Sequence, residues 1–162
     1  MSNSNSIASI LVYPDNNNLN RSIQIFENKL TQGSGTIGII GAGNFTSAMI
    51  LPCLKRNSAK LKYISSSTGL TGTVLAKKYN VSHSTTENDI IFKDEEVDLV
   101  LITTRHNSHA ALAIEALRNG KNVFIEKPLA LNKEELNKVI EVYKQSGKTI
   151  TVGFNRRFAP LA

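Results

Sequence analysis

Apolar positions along the chain follow two alternating rhythms. Short runs dominated by β-branched and other apolar residues, at Ile37–Ile40, Leu61–Ser65, Val97–Thr103, Asn122–Ile125 and Thr149–Val152, have the composition of strands buried on both faces of a sheet. Between them apolar residues recur at helical spacing. The first such stripe is Ala48, Met49, Leu51 and Leu54, with Pro52 placed to bend or loosen the last turn. Helices are also predicted over Thr71–Tyr79, Glu87–Lys93 and Ser108–Arg118. The last of these turns Leu112, Ala113, Ala116 and Leu117 inward and stops at Gly120. Asn132 with Glu135 three residues later is a capping-box start for a final helix, whose stripe is Leu136, Val139, Ile140 and Tyr143. A short extended piece lies near His83. Strands alternating with helices at this spacing predict right-handed βαβ units and an α/β fold with a doubly wound parallel sheet.

Residues 1–35 break that rhythm and read as an appendage and linker, which leaves 36–162 as the main domain. Ser9–Tyr13 is a candidate strand ended by Pro14, Asp15–Asn18 a loop, and Ser22–Glu27 an alternating, half-buried strand. Gln32–Gly35 reads as a flexible linker.

Composition narrows the function classes. A chain of 162 residues has room for one domain with a real core. Hydrophobic and charged fractions of 41% and 20% are ordinary for a soluble globular protein, and no apolar run approaches a membrane span. The polar start, Met1–Ser6, lacks the regions of a signal peptide, and a single cysteine suits a reducing cytoplasm. That cysteine, Cys53, lies in a helical apolar pattern and reads as a buried core thiol rather than a nucleophile. The net charge of +6 invites a nucleic-acid reading. Its lysines and arginines are scattered, however, with no interleaved aromatics, and no nucleic-acid partner is expected.

The chemistry concentrates at strand ends. After the first strand comes Gly41-Ala42-Gly43-Asn44-Phe45-Thr46, a G-x-G-x-x-T turn. Gly41 and Gly43 allow backbone conformations closed to other residues, and a helix opening at Asn44 aims free N–H groups at the turn, as phosphate binding requires. Thr46 departs from the dinucleotide fingerprint, which has a small residue there so that helix and strand can pack closely. The same residues also suit an ordinary strand-to-helix turn. Ligands of open α/β sheets lie beyond the carboxyl ends of the strands, and here those ends are polar: Ser65–Gly69, Thr103–His106, Glu126–Pro128 and Gly153–Arg157. The second strand lacks the acidic residue that favours NAD, so the hydroxyls of Ser66, Ser67 and Thr68 either bond a ribose, bond a 2′-phosphate, or are simply loop residues. NAD and NADP both remain open.

The glycine turn, Thr104-x-x-x-x-His109, Gly120–Leu129 with its Glu126-Lys127-Pro128, and Val152–Phe158 together resemble the N-terminal domain of the Gfo/Idh/MocA oxidoreductase family over residues 36–160. The resemblance implies a Rossmann fold and NAD(P)-dependent hydride transfer on a sugar, inositol or similar hydroxyl compound. It places Glu126 on the nicotinamide ribose and makes Lys127 the catalytic residue, orienting substrate and helping to move a proton. A lysine serves there if desolvation or a nearby cation lowers its pKa. Expected cofactor contacts are Gly41, Gly43, Asn44, Phe45, Ser66, Ser67, Thr104, His106, His109, Glu126, Lys127 and Arg157, with no metal; His109 alternatively caps or packs the helix start. Arg105 departs from the family, where proline commonly follows the threonine. The resemblance also implies a second domain, beyond Ala162, that supplies further catalytic residues and a route to oligomers; without it this chain is expected to be inactive alone. A non-catalytic redox sensor or interaction module is the alternative. Ile10–Pro14 further resembles the closing segment of a zinc-type alcohol dehydrogenase domain, which implies an upstream fusion.

Overall fold

The computed structural model describes residues 20–27, 33 and 35–158. Seven strands form one sheet in the order β1-β4-β3-β2-β5-β6-β7. They are β1 (Ser22–Gln24), β2 (Ile37–Ile40), β3 (Leu61–Ser65), β4 (His83–Thr85), β5 (Leu99–Ile102), β6 (Asn122–Glu126) and β7 (Ile150–Gly153). All neighbours pair in parallel except β1, which runs antiparallel to β4 and places Ser22 opposite Thr85. The helices are α1 (Leu51–Arg56), α2 (Leu70–Tyr79), α3 (Asn88–Lys93), α4 (His109–Arg118) and α5 (Lys133–Ser146). The α/β architecture and the doubly wound sheet are those expected from the alternating pattern. The candidate strand Ser9–Tyr13, the Asp15–Asn18 loop and the segment likened to a zinc-type alcohol dehydrogenase lie outside the described residues.

Alternation along the central strands divides the core between the two faces. Ile37, Ile39, Ile64 and Leu101 pack with Leu51 and Leu75 on the α1/α2 side. Ile40, Val100, Ile102, Val123 and Ile125 pack with Phe92, Ala113 and Leu117 on the α3/α4 side. Strand order reverses beside β2, so the carboxyl ends of β2 and β5 diverge into helices on opposite faces and leave a crevice between them.

Three expectations about burial are corrected. In the helix after the glycine turn, residues Thr46–Ile50 form a π-helical turn in which Leu51 N–H donates to Thr46 O, five residues back. Pro52 follows at once; it has no N–H for the carbonyl four residues earlier, and the widened turn accommodates that loss. The extra residue rotates the stripe, so Thr46 and Leu51 are buried while Ala48 and Met49 face solvent. Cys53 is carried outward as well and is exposed, not a core thiol. The third correction concerns α5, whose cap forms as expected with Asn132 Oδ1 accepting from Glu135 N–H at 2.8 Å. Its buried line, however, is Val139 with the half-buried Glu135, Val142 and Ser146, set against α4. Leu136, Ile140 and Tyr143 stay exposed, at 38%, 39% and 44%. Periodicity identified a face, and packing chose its neighbour.

Candidate functional site

The glycine turn sits at the centre of the crevice. Gly41 has φ +114°, and a Cβ there would lie 2.8 Å from the Thr103 carbonyl carbon, so only glycine fits between β2 and the end of β5. Gly43 is exposed, and a Cβ on it would meet nothing within 4 Å; the space beside its backbone is open for a ligand. Asn44 is exposed and Phe45 half-buried at the head of the helix that runs from here into α1. These are features of a phosphate cradle, and the residues present fit a dinucleotide.

Thr46, which departs from the fingerprint, turns out to fasten the turn. It is fully buried, its Oγ1 lies 2.9 Å from the Gly41 carbonyl and 2.7 Å from Thr103 Oγ1, and Thr103 Oγ1 lies 3.0 Å from that same carbonyl. Two hydroxyls from β2's turn and β5's end thus close on one backbone oxygen. The sequence signal was available as a threonine at the sixth fingerprint position together with one ending the fourth predicted strand, yet neither reports the other's position.

At the end of β3, Ser66 Oγ accepts from Gly72 N–H at 3.1 Å, which ties the turn to the first turn of α2. Ser67 and Thr68 are exposed. At the end of β5, Thr104 Oγ1 lies 2.7 Å from Ser108 Oγ in a 3-10 turn over His106–Ser108, where His106 is exposed. His109 is fully buried, its Nδ1 2.7 Å from the Pro128 carbonyl and its Nε2 3.1 Å from the Thr104 carbonyl. It bridges the turn after β5 to the turn after β6. His106 packs edge-on against it, with ring centroids 5.4 Å apart.

Glu126 ends β6 half-buried. A Cβ on Gly153 of β7 would come within 2.7 Å of its Oε1, so the carboxylate occupies the space a side chain would take. Burial pushes the Glu126 carboxyl above its usual range, against the opposing pull of the Lys127 N–H, His109 and the Lys127 charge. Lys127 follows, exposed, on the turn that the Pro128–His109 contact anchors. Arg157 lies beyond β7, its guanidinium 5.4 Å from the Phe154 ring centre. Parallel pairing brings the ends of β2, β3, β5, β6 and β7 to the same edge of the sheet, and with them the expected contacts. His109 alone lies entirely beneath the surface.

Among the described residues no helix is long and apolar enough to cross a membrane. Residues 36–154 match the family described as an oxidoreductase family with an NAD-binding Rossmann fold, Gfo/Idh/MocA. Oxidoreductase P35 of Formosa agariphila is 31% identical over 125 residues, covering 76% of this chain and 39% of the relative. The scyllo-inositol 2-dehydrogenase (NAD(+)) of Bacillus subtilis is 41% identical over 70 residues, 43% of this chain and 20% of that enzyme. The crystal structure of a probable dehydrogenase from Thermotoga maritima superposes with a TM-score of 0.70 at 30% identity, over 77% of this chain and 37% of that one. This chain therefore spans well under half the length of the relatives it matches. The chain belongs to the Gfo/Idh/MocA oxidoreductase family, and what is matched is its NAD-binding Rossmann domain.

Proposed function

We propose that this member of the family is the cofactor-binding part of an NAD(P)-dependent dehydrogenase acting, in the cytoplasm, on a sugar, an inositol or a similar hydroxyl compound. Residues 36–162 form the dinucleotide-binding unit on this reading, and the rest of the substrate pocket comes from other parts of the protein. The observation that carries the proposal is the placement of an open glycine turn and the Glu126–Lys127 pair on one edge of the sheet, at the reversal of strand order. The relatives named as dehydrogenases of inositols support the substrate class.

The bound nicotinamide would supply hydride acceptance and donation at carbon. The residues of this chain bind and orient it. Gly43, Asn44 and Phe45 would receive the pyrophosphate on backbone N–H groups, Ser66 and Ser67 would hold the adenosine ribose, and Thr104, His106 and Arg157 would hold the nicotinamide end. Glu126, whose carboxylate occupies the space that the lack of a side chain at Gly153 leaves, would accept from a ribose hydroxyl. Lys127 Nζ would take the hydroxyl proton as the adjacent C–H bond breaks and its hydride passes to the oxidised nicotinamide, or return the proton in reduction. Its exposure in this chain leaves desolvation to the bound dinucleotide and substrate. His109 acts through other residues: by bridging the Thr104 and Pro128 carbonyls it sets the direction of the Lys127 turn.

Calorimetric titration of this chain with NADH and with NADPH tests the proposal. Binding of at least one below millimolar concentration is expected, with loss of binding in Gly43→Val, whose side chain enters the open cradle. A folded chain that binds neither overturns it.

A further inference from the structure

We infer that the adenosine end of this site is built for a 2′-phosphate, that Arg21 is the side chain that receives it, and that the chain prefers NADPH to NADH. The inference rests on the proposed dinucleotide site and assigns its specificity. Arg21 belongs to none of the family's motifs quoted above and lies outside the matched residues 36–154.

The observations are these. β1 is an antiparallel addition to the parallel sheet, and its pairing with β4 sets Arg21 just before Ser22, at the carboxyl edge where the cofactor binds. The backbone there is fixed: the Arg21 carbonyl accepts from Thr86 N–H at 3.0 Å and from Thr85 Oγ1 at 2.9 Å. One strand further in, Ser66 N–H donates to the Thr85 carbonyl at 3.1 Å. Arg21 and the β3 turn are therefore about 10 Å apart at the backbone, two strand spacings, and an extended arginine covers most of that distance. Arg21, Thr68, Gly69 and Thr86 line one open cavity of about 670 Å³.

Charge at this corner points the same way. The turn Ser65-Ser66-Ser67-Thr68-Gly69 carries no carboxylate to accept from a ribose 2′-hydroxyl or to repel a phosphate there. The hydroxyls of Ser67 and Thr68 are exposed and have no partner among the described residues. A carboxylate does border the corner, that of Glu87, and Arg21 neutralises it at 2.6 Å. Arg21 remains 62% exposed and Glu87 39% exposed in this pair. An exposed ion pair of this kind is worth little in water. A phosphate dianion, which guanidinium binds in a bidentate manner, is a stronger partner than a solvated carboxylate. Arg21 can thus turn to a 2′-phosphate at small cost, with the Ser67 and Thr68 hydroxyls completing the contact.

The test is a set of titrations of this chain with NADPH, NADH, 2′,5′-ADP and 5′-AMP, comparing the unmodified protein with Arg21→Gln, Glu87→Gln and the double variant, each checked for folding by thermal melting. NADPH and 2′,5′-ADP are expected to bind roughly tenfold tighter than their unphosphorylated counterparts, as one charge-assisted contact provides. Arg21→Gln should erase that margin while leaving NADH within about twofold, and Glu87→Gln should widen it by freeing the guanidinium. The double variant should behave as Arg21→Gln, which separates a direct phosphate contact from simple masking of Glu87. Preference for NADH, or an Arg21→Gln effect that is absent or equal for both cofactors, overturns the inference and leaves the dinucleotide site intact. Failure of a folded chain to bind any of the four overturns the site and the inference together.

Discussion

The two edges of the sheet are built to opposite specifications. At the amino edge, ionisable groups hold one another. Lys62 reaches Asp94 at 2.6 Å and Glu96 besides, Tyr63 OH donates to Asp94 at 2.8 Å, and buried Lys121 donates to the Asp94 carbonyl at 2.6 Å. Asp98 accepts from three backbone N–H groups, those of Gly33, Gly35 and Thr36, at 2.8 to 2.9 Å. At the carboxyl edge the ion pair described, Arg21 with Glu87, is largely exposed, and so is Lys127. Polar side chains that satisfy each other define a fold; those left facing solvent are available to a ligand. Substitutions at the two edges should therefore separate stability from function.

The largest effect is expected at Lys127. In the whole protein Lys127→Ala should lower turnover by roughly 10² to 10⁴ fold, the usual range for a positioned acid or base, with an unchanged melting temperature and nearly unchanged cofactor affinity. Lys127→Arg should not restore the rate, because a guanidinium does not release its proton at any working pH. Steady-state kinetics of both variants checks this, and recovery in the arginine variant with the alanine loss confined to KM would mean that Lys127 only holds the substrate by its charge.

At the opposite edge Asp94→Ala should do the reverse. It leaves the Tyr63 hydroxyl without its acceptor and the half-buried Lys62 ammonium with Glu96 alone, and should cost about 2 kcal/mol in denaturant unfolding while cofactor affinity stays within about twofold. A parallel loss of cofactor affinity would show that the two edges are mechanically coupled.

A smaller effect is expected from acid. Burial raises the Asp94 and Asp98 carboxyls, but Lys62, Tyr63 and the Glu96 N–H at the first, and the N–H groups of Thr36, Gly33 and Gly35 at the second, outweigh it and hold both below the usual range. A carboxyl depressed in the folded state binds fewer protons there than when unfolded. Its stabilisation is complete above the unfolded value near pH 4 and is lost as pH falls through the folded values. Glu126 has the opposite sign, so its contribution is present in acid and fades as pH rises through its elevated folded value. Unfolding midpoints from pH 6 down to pH 2 should fall with acid, and the fall should be shallower in Asp98→Asn.

The sheet was legible because burial on both faces demands short, mostly apolar runs, and such runs mark β2, β3, β5 and β6. The positions of the glycine turn and of the Glu126-Lys127 pair at strand ends were legible for a different reason: each directly follows an apolar run in the sequence. What escaped was set by distant partners. Thr46 meets Thr103 across 57 residues and Arg21 meets Glu87 across 66, separations over which a single sequence carries no signal. Cys53 and the α5 stripe escaped because a period fixes which residues share a face, and what covers that face depends on the rest of the packing. Pro52 marked a local irregularity in this helix, but neither the π-helical turn before it nor the direction of the rotation was readable from neighbouring residues.

The antiparallel pairing of β1 with β4 also has a kinetic consequence. Its partners lie about 60 residues apart, so closing that loop offers little reward until β4 has already docked on β3. A three-residue strand added at a sheet margin is therefore a late event in folding and an early one in native-state opening, with amides that exchange with solvent before those of the central strands. Each such opening carries Arg21 away from the adenosine corner and leaves the glycine turn untouched. Discrimination between the two nicotinamide dinucleotides would then fade with rising temperature well before the capacity to bind either one, because the two properties reside in units of different local stability.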